Sequence, residues 1–379
     1  MSVAVATVAT YALPLFLTAS LALDIGRALD MSVARLGVAI TVFWVVATTS
    51  SFPAGRLVDR IGAVRAGRLA GVLVVLGSLG IAAAPSFEAL TAFLAVTAVG
   101  NAIIPTAMST LVTGELRARR RGTVLGLQQA GPPLASVIAG LALPTLGAAL
   151  GWRAVFVLGA VAAALATLAV RAGEGRQPRR PAARDDAVGA SEFTRLLALG
   201  GLLASAAASG LIAYLVVYAS DAGFSEGAAG ILLAVASIVC VATRVQSGVR
   251  VDRRRAPLLP QMAALVLAGT VGFALLGFGS TSAVAIGSVL AVGIGWGWSG
   301  LYILAAVEHG GPASGRTVGT AVTGSFAGAT LGPLLVALVA TAASFEVAWA
   351  VCAALSVAGA AAFVAAGRHE VRVAQVSAG

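Results

Sequence analysis

Few residues in this sequence could do acid–base, nucleophilic or metal chemistry, and those few lie apart from one another. The only two histidines, His309 and His369, lie in a predicted loop and near the C-terminus, and Cys240 and Cys352 lie inside apolar stretches. No pair of acidic residues falls in the middle of an apolar stretch, and the sequence contains no G-x-x-x-x-G-K-[ST] loop. We therefore predict no enzyme active site, no metal site, no disulfide and no cofactor.

Two charged residues lie within or at the end of apolar stretches, where ionisable groups are functional candidates. Arg244 lies one helical turn before Gly248. This position favours a side chain that extends to the membrane surface or fixes the nearby loop, and the alternative is a ligand for a solute. Asp24 lies at the end of the first stretch, which favours a helix-end charge over a proton carrier. These two residues are the candidates for charge coupling.

Uncharged polar and aromatic side chains supply the other candidates for binding a solute. An amide without a partner is costly inside a membrane, so several such groups at one depth are expected to face a cavity. Trp44 shares a helical face with Thr41 and Thr48, and Tyr214 shares one with Tyr218. For any single aromatic residue, packing or an interfacial position is the alternative. The predicted solute contacts are Trp44, Asn101, Gln128, Gln129, Tyr214, Tyr218, Trp298 and Tyr302.

The composition indicates the elements that must position these residues. Hydrophobic residues make up 59% of the 379 residues, charged residues make up 11%, and the mean hydropathy is +0.97. A soluble domain of this length cannot be so apolar, so we predict a polytopic membrane protein. No arginine precedes the first apolar stretch, and we therefore expect an uncleaved first helix rather than a signal peptide.

Apolar stretches of about 20 residues predict twelve membrane-spanning helices in two sets of six. The first set is predicted near 4–24, 36–54, 66–84, 87–111, 122–146 and 152–170. The second set is predicted near 196–219, 227–247, 258–278, 283–307, 317–341 and 344–366. Between them, 171–195 is rich in arginine and proline, which is typical of a polar, mobile linker. The predicted units are a first bundle at 1–170, the linker at 171–195, a second bundle at 196–367 and a tail at 368–379.

The arginines predict the orientation of these helices. The net charge is +10, with 25 arginines and no lysine, and a charge of this kind could indicate a nucleic-acid partner. The arginines cluster in alternate loops, however, and only Arg27, Arg35 and Arg153 lie on the side opposite to the other 22. The positive-inside rule then places both termini in the cytoplasm and leaves no role for nucleic acid. Heavy use of Ala, Gly and Arg is typical of a GC-rich genome, so we expect the inner membrane of a bacterium.

The stretch 55–65, between two apolar stretches, is predicted to be a tight basic turn in which glycines allow close backbone approach and unusual dihedral angles. Its pattern resembles the signature loop between helices 2 and 3 of the major facilitator superfamily of secondary transporters. The motif positions are occupied by Gly55, Leu57, Asp59, Arg60 and Gly62. Ala63 and Val64 replace the usual basic pair. The resemblance implies that this loop ties the cytoplasmic ends of the two bundles together.

An internal repeat relates the two halves. A shift of 193 residues places Gly55, Asp59 and Arg60 on Gly248, Asp252 and Arg253, and a shift of 197 residues places Trp152 on Trp349. Arg250 and Arg255 replace the motif's Leu and second Gly, so the second loop is a degenerate copy. The resemblance implies an all-α fold of two six-helix bundles, related by a pseudo-two-fold axis, around a site exposed alternately to each side. Helices 3, 6, 9 and 12 are then the expected outer supports.

The segment Gly131-Pro132-Pro133 in the fifth predicted helix resembles the glycine and proline motif of antiporter branches, although Ala135 and Ser136 stand where paired glycines are usual. A hinge and close packing through small residues are both open interpretations. Proton-coupled drug antiporters of the superfamily commonly carry an arginine four residues before a helix-4 glycine. Here that residue is Val96, so the resemblance does not imply proton coupling.

Together these features predict a secondary active or facilitative transporter that works by alternating access. The aromatic and amide-rich candidates, without a central charge, favour efflux of a neutral or amphiphilic compound. The alternative is uptake of a small metabolite or of an organic or inorganic anion, for which Arg244 is the candidate ligand. A transport-inactive sensor or scaffold is the alternative of another class. We expect a monomer in the lipid bilayer with a small molecule as its partner.

Overall fold

The computed structural model describes residues 2–31, 33–115, 121–170, 191–310 and 314–378, and the regular elements in these ranges are all helical. Nine of the described helices are long and apolar enough to cross a membrane, and Ala6–Ser20 and Gly37–Ser51 are shorter apolar helices. We number twelve helices, α1 to α12, and count segments that follow one another across a short interruption as one helix. The prediction of an all-α membrane protein is confirmed.

The first half of the chain forms α1 to α6. Helix α1 is Ser2–Ser20 with a short continuation at Ala22–Ala28, α2 is Val33–Ile61, α3 is Ala63–Ala83, and α4 is Phe87–Glu115. Helix α5 consists of Arg121–Gln128, Gly131–Ala142, a π-helical segment Leu143–Gly147 and Ala148–Leu150. Helix α6 is Trp152–Ala169. Each of these helices overlaps the predicted stretch of the same number.

The second half forms α7 to α12. Helix α7 is Glu192–Asp221, α8 is Glu226–Arg254 and α9 is Leu258–Leu276. Helix α10 consists of Thr281–Ser288, a π-helical segment Val289–Ile294, a turn at 295–298 and Ser299–Gly310. Helix α11 is Ser314–Ala342 and α12 is Phe345–Ala378. Each half therefore contains one helix that is interrupted by a turn and a π-helical segment, α5 and α10, and these two interruptions matter for the site described below.

The turn predicted at 55–65 is shorter than expected. Helix α2 continues through Gly55 to Ile61 and α3 begins at Ala63, so Gly62 alone separates them. Gly62 has a φ of 84°, which glycine adopts without strain. At Gly55, a Cβ would meet no described atom within 4 Å. A helix can continue through one glycine at a cost of about 1 kcal/mol.

The predicted linker and tail are partly helical. Residues 171–190 lie outside the described residues, but the end of the predicted linker belongs to α7. The Ser191 side chain accepts a hydrogen bond from the backbone N–H of Thr194 and so caps this helix. At the other end of the half, α12 continues to Ala378, so the predicted tail at 368–379 begins inside a helix that no proline interrupts.

Glycines bring helices of the second half into backbone contact. Gly324, Gly328 and Gly332 lie four residues apart on one face of α11, against α7. A Cβ at Gly328 would lie 2.0 Å from the carbonyl oxygen of Leu202, and one at Gly332 would lie 2.1 Å from that of Ala206. Small residues at such spacing let membrane helices pack by van der Waals contact where no hydrophobic driving force exists.

Exposed apolar side chains show which helices lie at the outside. Helices α3, α6, α9 and α12 expose large apolar residues, as expected of outer supports, and helices α5, α8 and α11 do so as well. On α6 the exposed residues are Val157, Leu158, Val161, Leu165 and Leu168, and on α3 they are Leu69, Val72, Leu76 and Leu79. By contrast, the large exposed residue on α4 is Phe93 and that on α10 is Ile286, among the described side chains. Helices α4 and α10 are therefore central.

Candidate functional site

The two halves are joined at the end of the bundle that carries the α2–α3 and α8–α9 junctions, which we call the basic end. Its arginines include Arg56, Arg60, Arg65, Arg253, Arg254 and Arg255. There the carboxylate of Asp252, at the end of α8, lies against the start of α5. One oxygen accepts from the backbone N–H of Gly122 at 2.9 Å, and the other accepts from the backbone N–H and the hydroxyl of Thr123 at 2.7 and 2.5 Å. An anion at a helix N-terminus is favourable because the free N–H groups and the helix dipole point at it.

Backbone contacts continue from this junction into the membrane. A Cβ at Gly248 of α8 would lie 2.2 Å from the carbonyl oxygen of Gly122, and one at Gly126 would lie 2.5 Å from the carbonyl oxygen of Arg244. Gly300 of α10 is equally close, since its Cβ would lie 2.6 Å from the Cα of Gly126. Helices α5, α8 and α10 thus pack with no side chain between them, and the halves are closed against each other at the basic end.

Arg244 lies at the end of this contact that is farther from the basic end, and it is 2% exposed. Its Nε and Nη2 donate to the carbonyl oxygen of Trp296 at 3.3 and 3.0 Å, and its Nη1 donates to the carbonyl oxygen of Gln129. The guanidinium carbon also lies 4.5 Å from the centre of the Trp296 ring. The side chain therefore does not extend to the membrane surface, and it bridges α5 of the first half to α10 of the second.

The carbonyl groups of Gln129 and Trp296 can accept from Arg244 because the interruptions of α5 and α10 leave them without a backbone donor among the described residues. Pro133 has no N–H to donate to the carbonyl four residues earlier, which is that of Gln129. Trp296 lies in the turn that follows the π-helical segment of α10. Gly131 at the α5 interruption is also a packing point, because its Cβ would lie 2.5 Å from the Val8 side chain of α1. The proline segment thus creates an acceptor and a close helix contact together.

Nearer the middle of the membrane, α2 meets α11 and α5 meets α8 through side chains. The Trp44 ring lies edge-on to Phe326 at 5.5 Å, and the hydroxyls of Thr48 and Thr330 are 3.2 Å apart. On the other flank, the hydroxyl of Ser237 donates to that of Ser136 at 3.3 Å. Trp44 is half-buried at this interface between the halves.

Amide candidates lie on the first half. Gln128 is buried, and its side-chain oxygen has no hydrogen-bond partner among the described residues. Asn101 is half-buried on the central helix α4, and the Gln129 backbone is the acceptor for Arg244. The structure therefore brings Trp44 and Gln129 to the interface between the halves, and it leaves an unsatisfied amide oxygen next to Gln129 along the chain.

The aromatic candidates of the second half lie in its interior. The Tyr302 hydroxyl donates to the carbonyl of Ala321, and its ring packs on Trp298 at 5.0 Å. The Tyr218 hydroxyl donates to the carbonyl of Leu276. Tyr214 is half-buried against Phe345, 6.0 Å away. The sequence predicts all four as solute contacts. In this structure Tyr218, Trp298 and Tyr302 are buried and Tyr214 is half-buried.

Asp24 and the first-half motif contribute little to the described geometry. Asp24 lies 3.6 Å from Arg27 in a pair whose side chains are 36% and 76% exposed, which agrees with a helix-end charge. Leu57 is half-buried and Arg60 exposed at the basic end, and the side chain of Asp59 lies outside the described residues. Within the described part of the chain, the contacts of the junction come from the second copy of the motif, through Gly248 and Asp252, and Arg253 beside them is exposed.

Comparison with known proteins identifies the architecture. A family model described as the Major Facilitator Superfamily matches residues 2–322. The proton:xylose symporter XylE, bound to 6-bromo-6-deoxy-D-glucose, has a similar structure, with a TM-score of 0.81, 12% identity, and coverage of 95% of this chain and 93% of that one. A variant of the E. coli fucose:proton symporter FucP gives a TM-score of 0.72 at 15% identity, with 96% and 98% coverage. The human organic anion transporter MFSD10 gives 0.75 at 18% identity, with 95% and 99% coverage. At these identities the likeness shows the fold alone, and no curated sequence matches the chain.

Proposed function

Because the chain belongs to the major facilitator superfamily and is a secondary transporter, we propose that its solute binds between the two halves and that the described state is closed to the cytoplasm. The basic end faces the cytoplasm in this proposal, since arginine-rich loops stay on that side of a membrane. Both termini then lie in the cytoplasm. Alternating access requires the contacts among α5, α8 and α10 to separate when the site opens inward.

The observation that carries this proposal is the Asp252 carboxylate at the N-terminus of α5. Three donors from the first half converge on a side chain from the second half. A charged hydrogen bond contributes about 1.5–3 kcal/mol, so this junction stabilises the closed state by an amount that decides a balanced two-state equilibrium. By the internal repeat, Asp59 is the corresponding residue of the first half, and we propose the same role for it.

We propose that the solute site lies around Trp44, Asn101, Gln128 and Gln129. These residues belong to α2, α4 and α5 of the first half, and Trp44 and the Gln129 carbonyl contact the second half. Tyr218, Trp298 and Tyr302 are left out of the site, since their side chains are buried in the second half.

Two solute classes have a supporting observation. The aromatic pair of Trp44 and Phe326 between the halves supports a neutral or amphiphilic compound, exported from the cell. The buried guanidinium of Arg244 at the same interface supports an anion instead, moved in either direction.

The test of the closed state uses spin labels on both halves at the basic end. Cys240 and Cys352 are replaced by alanine, and labels are attached to cysteines at the exposed positions Arg60 and Arg254. Pulsed electron–electron double resonance should give one short distance between the two labels in the parent protein. Asp252→Asn should add a population at longer distance, because the amide cannot accept from both N–H groups. An unchanged distance distribution in Asp252→Asn would contradict the proposal.

A further inference from the structure

Arg244 is a cation enclosed in protein without an acidic partner. It lies ten residues before the end of α8 at Arg254, which places it about 15 Å from the basic end at 1.5 Å per residue. Among the described residues, no carboxylate lies within ion-pair distance of its guanidinium. The acidic residues of α8 are Glu226 and Asp252, at its two ends. Buried charges are normally paired, and an unpaired one inside a membrane protein is a functional candidate.

The partners that Arg244 has in place of a carboxylate depend on the conformational state. Trp296 belongs to the same half as Arg244, so this contact can persist when the halves separate. The Gln129 carbonyl belongs to the other half. Since the backbones of α5 and α8 touch at Gly122, Gly126 and Gly248, opening the basic end must withdraw the Gln129 carbonyl from the guanidinium. The Nη1 edge of Arg244 then faces the space between the halves without an acceptor.

We infer that the solute is an organic monoanion, and that its carboxylate takes the place of the Gln129 carbonyl on Arg244 when the basic end opens. The inference rests on the proposed alternating access and names the solute of that site. The planar edge of a guanidinium matches a carboxylate in geometry and charge. The other cations of α5, α8 and α10 lie at the basic end or in its turns. Arg244 can therefore neutralise one negative charge of the solute at this depth, and no second cation of these helices is there for another charge.

The opposite flank supplies the apolar part of the site. The internal repeat relates Arg244 to Ser51 and Gln129 to Phe326, by shifts of 193 and 197 residues. On the α2–α11 side of the interface, the position that corresponds to the acceptor of Arg244 is therefore Phe326. The centre of the Trp44 ring lies 5.5 Å from that of Phe326. One flank is cationic and the other aromatic, which fits a solute with a carboxylate at one end and an apolar or aromatic body at the other. Such a solute is also amphiphilic.

The test compares an aromatic carboxylate with its neutral analogue on the purified full-length transporter. Benzoate is the probe, and benzamide is its uncharged analogue of similar shape. Acetate, nitrate and inorganic phosphate are anions without an aromatic ring and complete the series of compounds. Benzoate should raise the melting temperature of the protein, benzamide should not, and acetate should act more weakly because it lacks the aromatic body. With the Arg60 and Arg254 labels, benzoate should also increase the long-distance population.

Variants at Arg244 separate binding from folding. Arg244→Gln should abolish the effect of benzoate, and Arg244→Lys, which keeps the charge without the planar fork, should weaken benzoate binding by roughly tenfold. Arg153→Gln is the matched control, because Arg153 also donates to a backbone carbonyl, that of Ala84, and lies 4.3 Å from the ring of Trp152. It should retain the benzoate effect.

Three results would overturn the inference: no anion of the series changes the melting temperature, benzamide acts as strongly as benzoate, or the benzoate effect survives in Arg244→Gln. If Arg244→Gln does not fold, the inference is overturned when Arg244→Lys binds benzoate with the same affinity as the parent protein. The Asp252→Asn distance measurement contains no anion. A failure of the anion experiment is therefore distinct from a failure of alternating access.

Discussion

Replacing Gly248 with alanine is expected to open the basic end, because the added Cβ has no room in the closed state. It would lie 2.2 Å from the carbonyl oxygen of Gly122 and 2.6 Å from the carbonyl carbon. Both are backbone atoms of a helix, so neither can rotate away as a flexible side chain would. Relief requires the helices α5 and α8 to move apart.

The size of the effect follows from these distances. Ordinary van der Waals contact begins at 3.4 Å, so the two helices must separate by about 1.2 Å, the difference between 3.4 and 2.2 Å. The same movement stretches the hydrogen bonds of 2.9 and 2.7 Å from Gly122 and Thr123 to Asp252 beyond useful length. Overpacking of this kind costs about 1–3 kcal/mol, which changes a two-state ratio by about 5- to 150-fold.

The assay is the distance between labels at Arg60 and Arg254, with Gly230→Ala as the matched control. Gly230 lies on the same helix, and a Cβ there would meet nothing within 4 Å. Gly248→Ala should convert most of the short-distance population to the longer distance, and Gly230→Ala should leave the distribution unchanged. If both variants resemble the parent protein, the close α5–α8 contact does not control opening.

Two further predictions concern the stability of the second half and the orientation in the membrane. Gly328→Ala should lower the melting temperature in detergent, since its Cβ would lie 2.0 Å from the Leu202 carbonyl oxygen. Gly319→Ala on the same helix should leave the melting temperature unchanged, because its Cβ would have nothing within 4 Å. Equal melting temperatures of the two variants would refute the glycine contact. Protease should cleave within 171–195 in inside-out vesicles, because arginines and prolines exclude this stretch from lipid; cleavage confined to right-side-out vesicles would reverse the proposed orientation.

The positions of the helices could be predicted from the sequence because the membrane sets their length and polarity. The predicted stretch 152–170 became Trp152–Ala169, and 258–278 became Leu258–Leu276. Their precise ends were harder, as at 55–65, where the apolar pattern stops well before the helix does. Hydropathy reports where lipid contact ends, whereas hydrogen bonding of the backbone continues to Ile61.

Helical spacing predicts which candidate residues share a face, but it does not predict the direction in which that face points. Trp298 and Tyr302 share a face, as expected, but that face packs on Phe363 of α12 inside the second half. A signal for this was present in the sequence: α11 carries glycines every four residues from Gly324 to Gly332, which favours close packing with a neighbouring helix. Large residues near such a tightly packed helix are needed to fill the space around it, so they are poor candidates for lining a cavity.

The sequence contains part of the information that predicts the partner of Arg244. A proline releases the carbonyl four residues before it, so Pro133 marks the Gln129 carbonyl as an acceptor that some donor must satisfy. What the sequence lacks is the register between α5 and α8. The repeat alone does not supply it, because it relates α5 to α11 and α8 to α2 without joining either pair. The contact between Thr48 and Thr330 supplies this register. The shift of 193 residues relates Thr48 to position 241, and the shift of 197 residues relates Thr330 to Pro133. Position 241 lies within one helical turn of Arg244. A single distance restraint between α2 and α11 would therefore have placed the guanidinium beside the released carbonyl.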